Sequence, residues 1–229
     1  MNETSPVMRI WDLPTRIFHW LLAACVIGAI VTANLGGLWM DWHVRFGLAT
    51  LGLIVFRLAW GCVGPRYARF TQFMRAPRAV VRYLRGEPSA PGHNPLGGWS
   101  VAAMLAVLGF QAGSGLFAND DILTEGPLAQ YIEENASSML TGLHQANAWL
   151  VYALVGLHLA AIAWYVGWRR KRLVRPMISG DMRRADWPAG AEPARDGPAV
   201  WLLAAVIAAA AGTLVWWIQS LAPAAGSFY

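Results

Sequence analysis

Four of the five histidines of this chain lie in strongly apolar stretches, at His19, His43, His144 and His158. An ionisable residue within an apolar, membrane-like segment indicates a functional or helix-pairing role. One such histidine is explained equally well by a hydrogen bond between two helices. Four of them at related positions favour a shared chemical role, and imidazole nitrogens are above all metal ligands.

The spacing of His144 and His158 places two imidazoles on one side of one helix. The two residues are 14 positions apart within a single apolar stretch. At about 100° and about 1.5 Å per residue, both side chains project from the same face and are separated by about 21 Å along the axis. One helix therefore offers two ligands at two depths.

The composition predicts that these helices lie in a membrane. The 229 residues are 56% hydrophobic and only 14% charged, and the mean hydropathy is +0.39. Soluble domains carry about 25% charged residues. A bilayer-spanning helix needs about 20 mostly apolar residues, and five stretches satisfy this, at about 16–35, 42–62, 98–118, 142–168 and 199–219. We expect an all-α integral membrane protein.

The distribution of charge predicts the orientation of the spans. Arginines are concentrated in the loop after the second span and in the segment after the fourth, whereas residues 86–168 contain no Lys or Arg. By the positive-inside rule, the basic segments and the amino terminus are cytoplasmic and the carboxyl terminus is periplasmic. The periplasmic loop between spans three and four is acidic, with Asp120, Asp121, Glu125, Glu133 and Glu134.

The same placement of charge explains the net charge of +5 without nucleic acid. The basic segments act as topology determinants beside the anionic lipid of the inner membrane. Membrane lipid is therefore an expected partner, and nucleic acid is not.

With this orientation, His19 and His158 share the inner level, and His43 and His144 share the outer level. Two axial imidazoles are the ligand set of an electron-transferring haem, and facing helices of a bundle are the usual place for one. Zinc instead needs about four ligands at one point, and no Asp or Glu lies within the predicted spans. The chain has no C-x-x-C-H motif for covalent attachment, so the histidines predict two haems b.

Three arginines are candidates to bind the anionic haem propionates. Arg57 lies 14 residues after His43, hence on the same face and at the inner level. A buried arginine must be paired, although its side chain could instead extend to the interface. Arg45 near the outer level and Arg16 at the inner surface are weaker candidates because both lie close to water.

Two further polar residues have open interpretations. His93 lies in a Pro/Gly-rich turn, where it is either a surface residue or part of the inner haem or a quinone site. Gln111 in the third span either hydrogen-bonds across helices, which we favour, or reaches a quinone carbonyl. Glycines near the histidines favour close helix packing and flat space for a porphyrin equally; they are Gly47, Gly52, Gly109, Gly113, Gly115 and Gly156.

The linear order of segments predicts three parts. Residues 1–180 form a four-helix domain that binds two haems, and residues 181–198 form a Pro/Gly-rich linker. Residues 199–229 form an extra transmembrane helix with a short periplasmic tail. The extra helix is almost entirely Ala, Val, Leu and Trp, so we expect it to be peripheral.

Several stretches of the chain resemble the bacterial cytochrome b561 family, which includes the b-type cytochrome subunits of nickel–iron hydrogenases. They are Arg9–Trp20, Phe56–Tyr67, Gly92–Gly98, Leu140–His144 and Leu173–Gly180. The resemblance covers about residues 7 to 180 and implies a four-helix core with two haems b. Carried over, the family's ligands are His19, His43, His144 and His158. The fifth span has no counterpart in that core.

The resemblance also implies a role. Family members pass electrons between membrane quinone and a redox partner, here a periplasmic c-type cytochrome or an oxidoreductase subunit. No nucleotide motif or nucleophile constellation is present, so the chain is expected to be a subunit of an oxidoreductase. The alternative is a haem-free membrane transporter or assembly anchor that uses its histidines for helix pairing or proton binding.

Overall fold

The computed structural model describes residues 7–87, 92–120, 122, 124–183 and 191–222. Long helices dominate these residues, joined by short helices and single 3-10 turns. The long helices are α1 Leu13–Leu35, α2 Met40–Val63, α5 Pro95–Gly115, α6 Glu134–Gly167 and α8 Pro198–Ser220. The short ones are α3 Phe70–Phe73, α4 Pro77–Leu84 and α7 Val174–Ser179.

The five long helices are each long and apolar enough to cross a membrane, which confirms the five predicted spans. Their bounds differ where polar residues begin a helix. α6 starts at Glu134 rather than near residue 142. The sequence prediction missed its first turns because they are polar, and the spans were predicted from apolar stretches. α5 starts at Pro95, a residue favoured in the first turn of a helix. There the Asn94 Oδ1 accepts the Gly97 N–H at 2.7 Å, as an N-cap does.

A two-stranded antiparallel sheet accompanies the helices. Strand β1, Val7–Arg9, pairs with strand β2, Asp181–Arg183. Gly180, at the end of α7, has φ +87° and its carbonyl accepts the N–H of Ile10 at 2.8 Å. A Cβ at Gly180 would lie 2.8 Å from the carbonyl oxygen of Trp11, so both the backbone angle and the space require glycine.

The chain divides into two compact units. The first unit contains residues 1–19, 57–103 and 155–207, and the second contains residues 20–56, 104–154 and 208–229. His19 and His158 belong to the first unit. His43 and His144 belong to the second unit.

A buried carboxylate begins α1 in the first unit. Asp12, which is 1% exposed, accepts the Thr15 N–H at 2.9 Å and the Trp60 indole N–H at 3.1 Å through Oδ1. Burial raises the pKa of Asp12, against the lowering effect of hydrogen bonds from Thr15 and Trp60. The cap ties the start of α1 to α2 and satisfies the N–H of a completely buried Trp60.

The described part of the segment predicted as a linker is packed against the first unit. Ala194 is buried beside Trp11, and Tyr67 donates its hydroxyl to the Glu192 carbonyl at 2.7 Å. Asp196 accepts three bonds, which come from the Arg9 Nη1 at 2.6 Å, the Leu13 N–H at 3.2 Å and the Trp201 indole at 2.6 Å. Pro188 and the rest of residues 184–190 lie outside the described residues.

The fifth long helix is mostly exposed, as expected for a peripheral helix, and it contacts α2 at a few residues. A Cβ placed on Gly52 of α2 would lie 3.1 Å from the Val215 side chain of α8. Past the helix end, the Leu221 carbonyl accepts the Gln130 side-chain amide at 2.7 Å. Gly52 therefore serves helix packing. The predicted periplasmic tail after residue 222 lies outside the described residues.

Asp196 provides the test of this packed segment. Asp196→Ala removes the acceptor of three donors, so we expect the free energy of unfolding to fall by about 1–3 kcal/mol. The matched control is Glu192→Ala, which removes an exposed side chain that pairs with Arg66 at 3.3 Å and should change stability by less than about 1 kcal/mol. The apparent Tm of each purified variant in detergent, compared with that of the wild-type protein, measures the loss of stability. An equal fall in Tm for the two variants would contradict an anchoring role for Asp196.

Candidate functional site

His43 and His144 face each other in the second unit. Their ring centres are 6.0 Å apart and the rings are nearly perpendicular, at 88°. The His43 Nδ1 lies 2.9 Å from the Ala29 carbonyl oxygen, and the His144 Nδ1 lies 2.9 Å from the Gln111 carbonyl oxygen. In each ring Nδ1–H is therefore the donor and Nε2 carries the lone pair, as in histidines that bind metals through Nε2.

A cavity of about 350 Å³ opens between these two histidines, within the range of about 300–1,000 Å³ typical of ligand sites. Its walls are mostly small or apolar, as the lining residues Ala29, Val44, Leu108 and Ala148 illustrate. No Lys or Arg is among the described residues that line it. Such a wall suits the flat apolar body of a porphyrin.

Two of the predicted glycines shape this cavity. Gly47 lines it and has no atom within 4 Å of the position of an added Cβ. Gly115 passes close to His144, because a Cβ there would lie 3.0 Å from the His144 Cε1. The two glycines thus have different uses: Gly115 admits the imidazole and Gly47 leaves flat space beside it.

His19 and His158 form the corresponding pair in the first unit. Their ring centres are 6.4 Å apart, with an angle of 54° between the rings. A metal–imidazole bond is about 2 Å long and the ring centre lies about 1 Å beyond the nitrogen, so two axial imidazoles on one iron have centres about 6 Å apart. Both histidine pairs fit this separation.

The two pairs match a porphyrin better than a metal ion held by the protein alone. Within the described parts of the chain, no three His, Cys, Asp or Glu residues come together as a metal site. A bare zinc or copper site would need such a set. A haem needs only two axial side chains because the porphyrin supplies the other four nitrogens.

Arg57 is buried in the first unit among aromatic rings. It is 2% exposed, and its guanidinium carbon lies 4.9 Å from the centre of the Phe70 ring and 5.7 Å from that of Phe73. Its Nη1 has no hydrogen-bond partner in the described part of the chain. The cation–π contacts stabilise the charge only in part, which leaves a buried donor for an anion.

The other two predicted propionate partners have different surroundings. Arg16 donates from Nη1 to the Ile178 carbonyl at 2.6 Å and lies 3.9 Å from Asp196. It therefore supports the segment around α7. Arg45 is exposed and stacks at 5.0 Å over the Trp42 ring, and it does not line the cavity. Their propionate roles stay predictions.

His93 was left open by its sequence context, and the structure places it inside the first unit. Its ring centre lies 4.8 Å from that of Trp11 and 4.6 Å from that of Phe73. Its Nδ1 is buried without a hydrogen-bond partner among the described residues. Burial, with the nearby charges of Arg57 and His19, lowers the pKa of His93 to about 3. The ring is neutral at physiological pH.

A buried amide that the sequence analysis did not single out supports His144. Asn147 donates to the Gln111 Oε1 at 2.7 Å and to the Val107 carbonyl at 3.1 Å. The Gln111 Nε2 in turn lies 3.1 Å from the His144 Nε2. Gln111 thus hydrogen-bonds between α5 and α6, as favoured from the sequence. An Asn within an apolar span was the available signal.

Gly47 tests the cavity directly. Gly47→Leu fills the open space beside His43, so we expect the variant to lose about one haem per chain. Gly142→Leu is the matched control, because Gly142 is exposed, has open space around it and lies outside the cavity lining. A pyridine haemochrome assay per mole of protein compares them. Full haem content in Gly47→Leu would show that the cavity does not hold a porphyrin.

Comparison with known proteins agrees with this geometry. The model of the prokaryotic cytochrome b561 family matches residues 10–180, which is more than half of the chain. A search of curated proteins returns no significant match. The match ends where the predicted linker starts, so α8 lies outside it. The family implies haem b in a multi-pass membrane protein that transfers electrons. The chain belongs to the prokaryotic cytochrome b561 family.

Proposed function

We propose that this chain is a two-haem electron conduit between the membrane quinone pool and a periplasmic c-type cytochrome or oxidoreductase subunit. His19 and His158 would bind one haem b, and His43 and His144 the other. The observation that carries the proposal is the pair of facing imidazoles in each unit, 6.4 Å and 6.0 Å between ring centres. Family membership supports haem b and electron transfer.

The protein's own groups would hold and orient each cofactor. Haem supplies a one-electron change of oxidation state. The bonds from Nδ1–H of His43 and His144 to backbone carbonyls hold each ring in position and increase the basicity of its Nε2. The apolar cavity walls exclude water, which also affects the reduction potential.

The organisation of the chain in the inner membrane is part of the proposal. Residues 1–180 would form the haem domain, with residues 181–198 connecting it to the extra helix and tail of residues 199–229. The amino terminus would be cytoplasmic and the carboxyl terminus periplasmic, in accordance with the positive-inside rule. His19 with His158 would then lie at the inner level, and His43 with His144 at the outer level.

The haem-free alternative, a transporter or assembly anchor, finds less support. It explains buried histidines by helix pairing, but it gives no reason for the cavity between His43 and His144. It also conflicts with membership of a cytochrome family. The haem-free alternative predicts that the purified protein is colourless even when the cells that produce it have abundant haem.

Haem stoichiometry with ligand variants tests the proposal. The wild-type protein should contain two low-spin b haems per chain. His158→Ala should lose one haem and His144→Ala the other, because each removes an axial ligand from one site only. Pyridine haemochrome assays and low-temperature spectra of the reduced protein measure the number and identify which signal is lost.

Other outcomes have definite meanings. One haem in the wild-type protein would make one histidine pair structural. Loss of both haems in each single variant, with the protein still folded by circular dichroism, would contradict the assignment of ligands to two separate sites. A wild-type protein without haem would overturn the proposed function.

The acidic loop offers a test of the partner. Glu125, Glu133 and Glu134 would attract a basic periplasmic cytochrome, so replacing all three by Gln should slow reduction of such a cytochrome several-fold at about 10 mM salt and much less at about 1 M. The control is Glu87→Gln, an exposed change in the loop after α4. Equal low-salt rates in both variants would exclude docking at this loop. Asp121 of the loop lies outside the described residues.

A further inference from the structure

Several buried side-chain nitrogens of the first unit have no hydrogen-bond partner within the described residues. They include Arg16 Nε, Arg57 Nη1, Arg69 Nε and His93 Nδ1, and of these Arg57 and His93 both contact Phe73. Buried polar groups of folded proteins are nearly always satisfied, and a buried arginine charge is strongly destabilising without an anion. Two such donors in one neighbourhood therefore indicate a ligand that brings its own acceptor oxygens.

Several contacts place the two donors beside the histidine pair of the same unit. Phe73 touches both, with its ring 5.7 Å from the Arg57 guanidinium carbon and 4.6 Å from the His93 ring centre. Phe18, the neighbour of His19 in the chain, also lies beside the guanidinium, at 6.0 Å. The charges of Arg57 and His19 both act on His93. The donors thus adjoin the proposed haem site.

We propose that Arg57 and His93 together bind one propionate carboxylate of the haem held by His19 and His158. This inference rests on the proposed function and adds His93 to it as a positioning residue. Arg57 supplies the charge and a neutral His93 donates from Nδ1, so the two side chains offer donors to both carboxylate oxygens. The aromatic rings around them exclude water and strengthen both bonds.

A carboxylate fits this pair better than a neutral quinone carbonyl. A carbonyl would accept a hydrogen bond but would bring no negative charge to the buried guanidinium. Asp12 acts on the Arg57 charge through space, but its oxygens accept hydrogen bonds from the Thr15 backbone and side chain and from Trp60. No ion pair to Arg57 is found in the described part of the chain.

The arrangement distinguishes this site from the cavity between His43 and His144. That cavity has no lysine or arginine among its described lining residues, and its one charged lining residue is the carboxylate Asp120. A positive charge close to a haem stabilises the reduced form relative to the oxidised form, because reduction removes one positive charge from the iron. The buried Arg57 should therefore raise the midpoint potential of the first unit's haem alone.

The experiment uses holoprotein carrying His144→Ala, so that only the haem of the first unit contributes to the signal. Four substitutions are introduced one at a time into this His144→Ala parent: Arg57→Gln, Arg57→Lys, His93→Phe and His93→Gln. Potentiometric titration gives the midpoint potential, and resonance Raman spectra of the propionate bending mode report hydrogen bonding to the carboxylate. Arg78→Gln is the control, because it removes one charge from an exposed position on α4 of the same unit.

Arg57→Gln should lower the midpoint potential and shift the propionate mode, and Arg57→Lys should restore part of the potential because the charge remains. His93→Phe should shift the mode as well, with a smaller fall in potential, and His93→Gln should resemble the parent because an amide N–H still donates. Arg78→Gln should change neither quantity. If Arg57→Gln does not fold, the propionate mode of His93→Phe decides whether this pair binds the carboxylate.

Failure of this inference can be told from failure of the proposed function. A parent protein that binds no haem through His19 and His158 would overturn the function. Haem that is bound but has an unchanged propionate mode and potential in Arg57→Gln and an unchanged propionate mode in His93→Phe would overturn the carboxylate assignment only. An unchanged haem with a several-fold higher quinone KM in His93→Phe would also overturn it, and would assign the pair to a quinone oxygen.

Discussion

The central physical constraint on this molecule is that an imidazole buried among apolar helices must have both of its nitrogens satisfied. Water is not available within a membrane to do so. In the second unit the backbone satisfies one nitrogen of each ring, because the carbonyls of Ala29 and Gln111 accept from His43 and His144. The His144 Nε2 lies 3.1 Å from the Gln111 side-chain amide, and the centres of the His43 and His144 rings are 6.0 Å apart. The helix approach, the missing side chain at Gly115 and the apolar cavity all follow from keeping these two rings in that position.

The two units stabilise their buried polar side chains in different ways. The second unit uses neutral groups: Asn147 bonds Gln111, and Gln111 in turn contacts His144. The first unit contains a full positive charge at Arg57, surrounded by phenylalanine rings, and a neutral His93. Because charge in a medium of low dielectric has a far larger effect than charge in water, the two histidine pairs have distinct electrostatic environments. Two chemically equal haems in such surroundings would have unequal potentials.

The start of α1 is held by residues from distant parts of the chain. Asp181 pairs with Arg9 of β1 in the sheet, and the Gly180 carbonyl accepts the Ile10 N–H. Asp196 binds both Arg9 and the first turn of α1. His19 lies less than two turns further along the same helix. The segment that follows α6 therefore fixes the entry of the helix that carries a predicted ligand, which gives a physical reason for the short sheet in an otherwise helical protein.

The sequence by itself determined the five long apolar helices, since about 20 apolar residues in a row permit little else. It also determined which four histidines lie within them and which pairs come together; their ligation of haem remains a prediction. Only the tertiary structure decided that Gly115 admits His144 and Gly52 contacts α8, that Asn147 supports Gln111, that His93 is buried beside Phe73, and that Asp196 anchors α1. The physical reason is that hydropathy sums over many residues in one segment, whereas each of these roles is a single contact between residues distant in the sequence or lying on different helices.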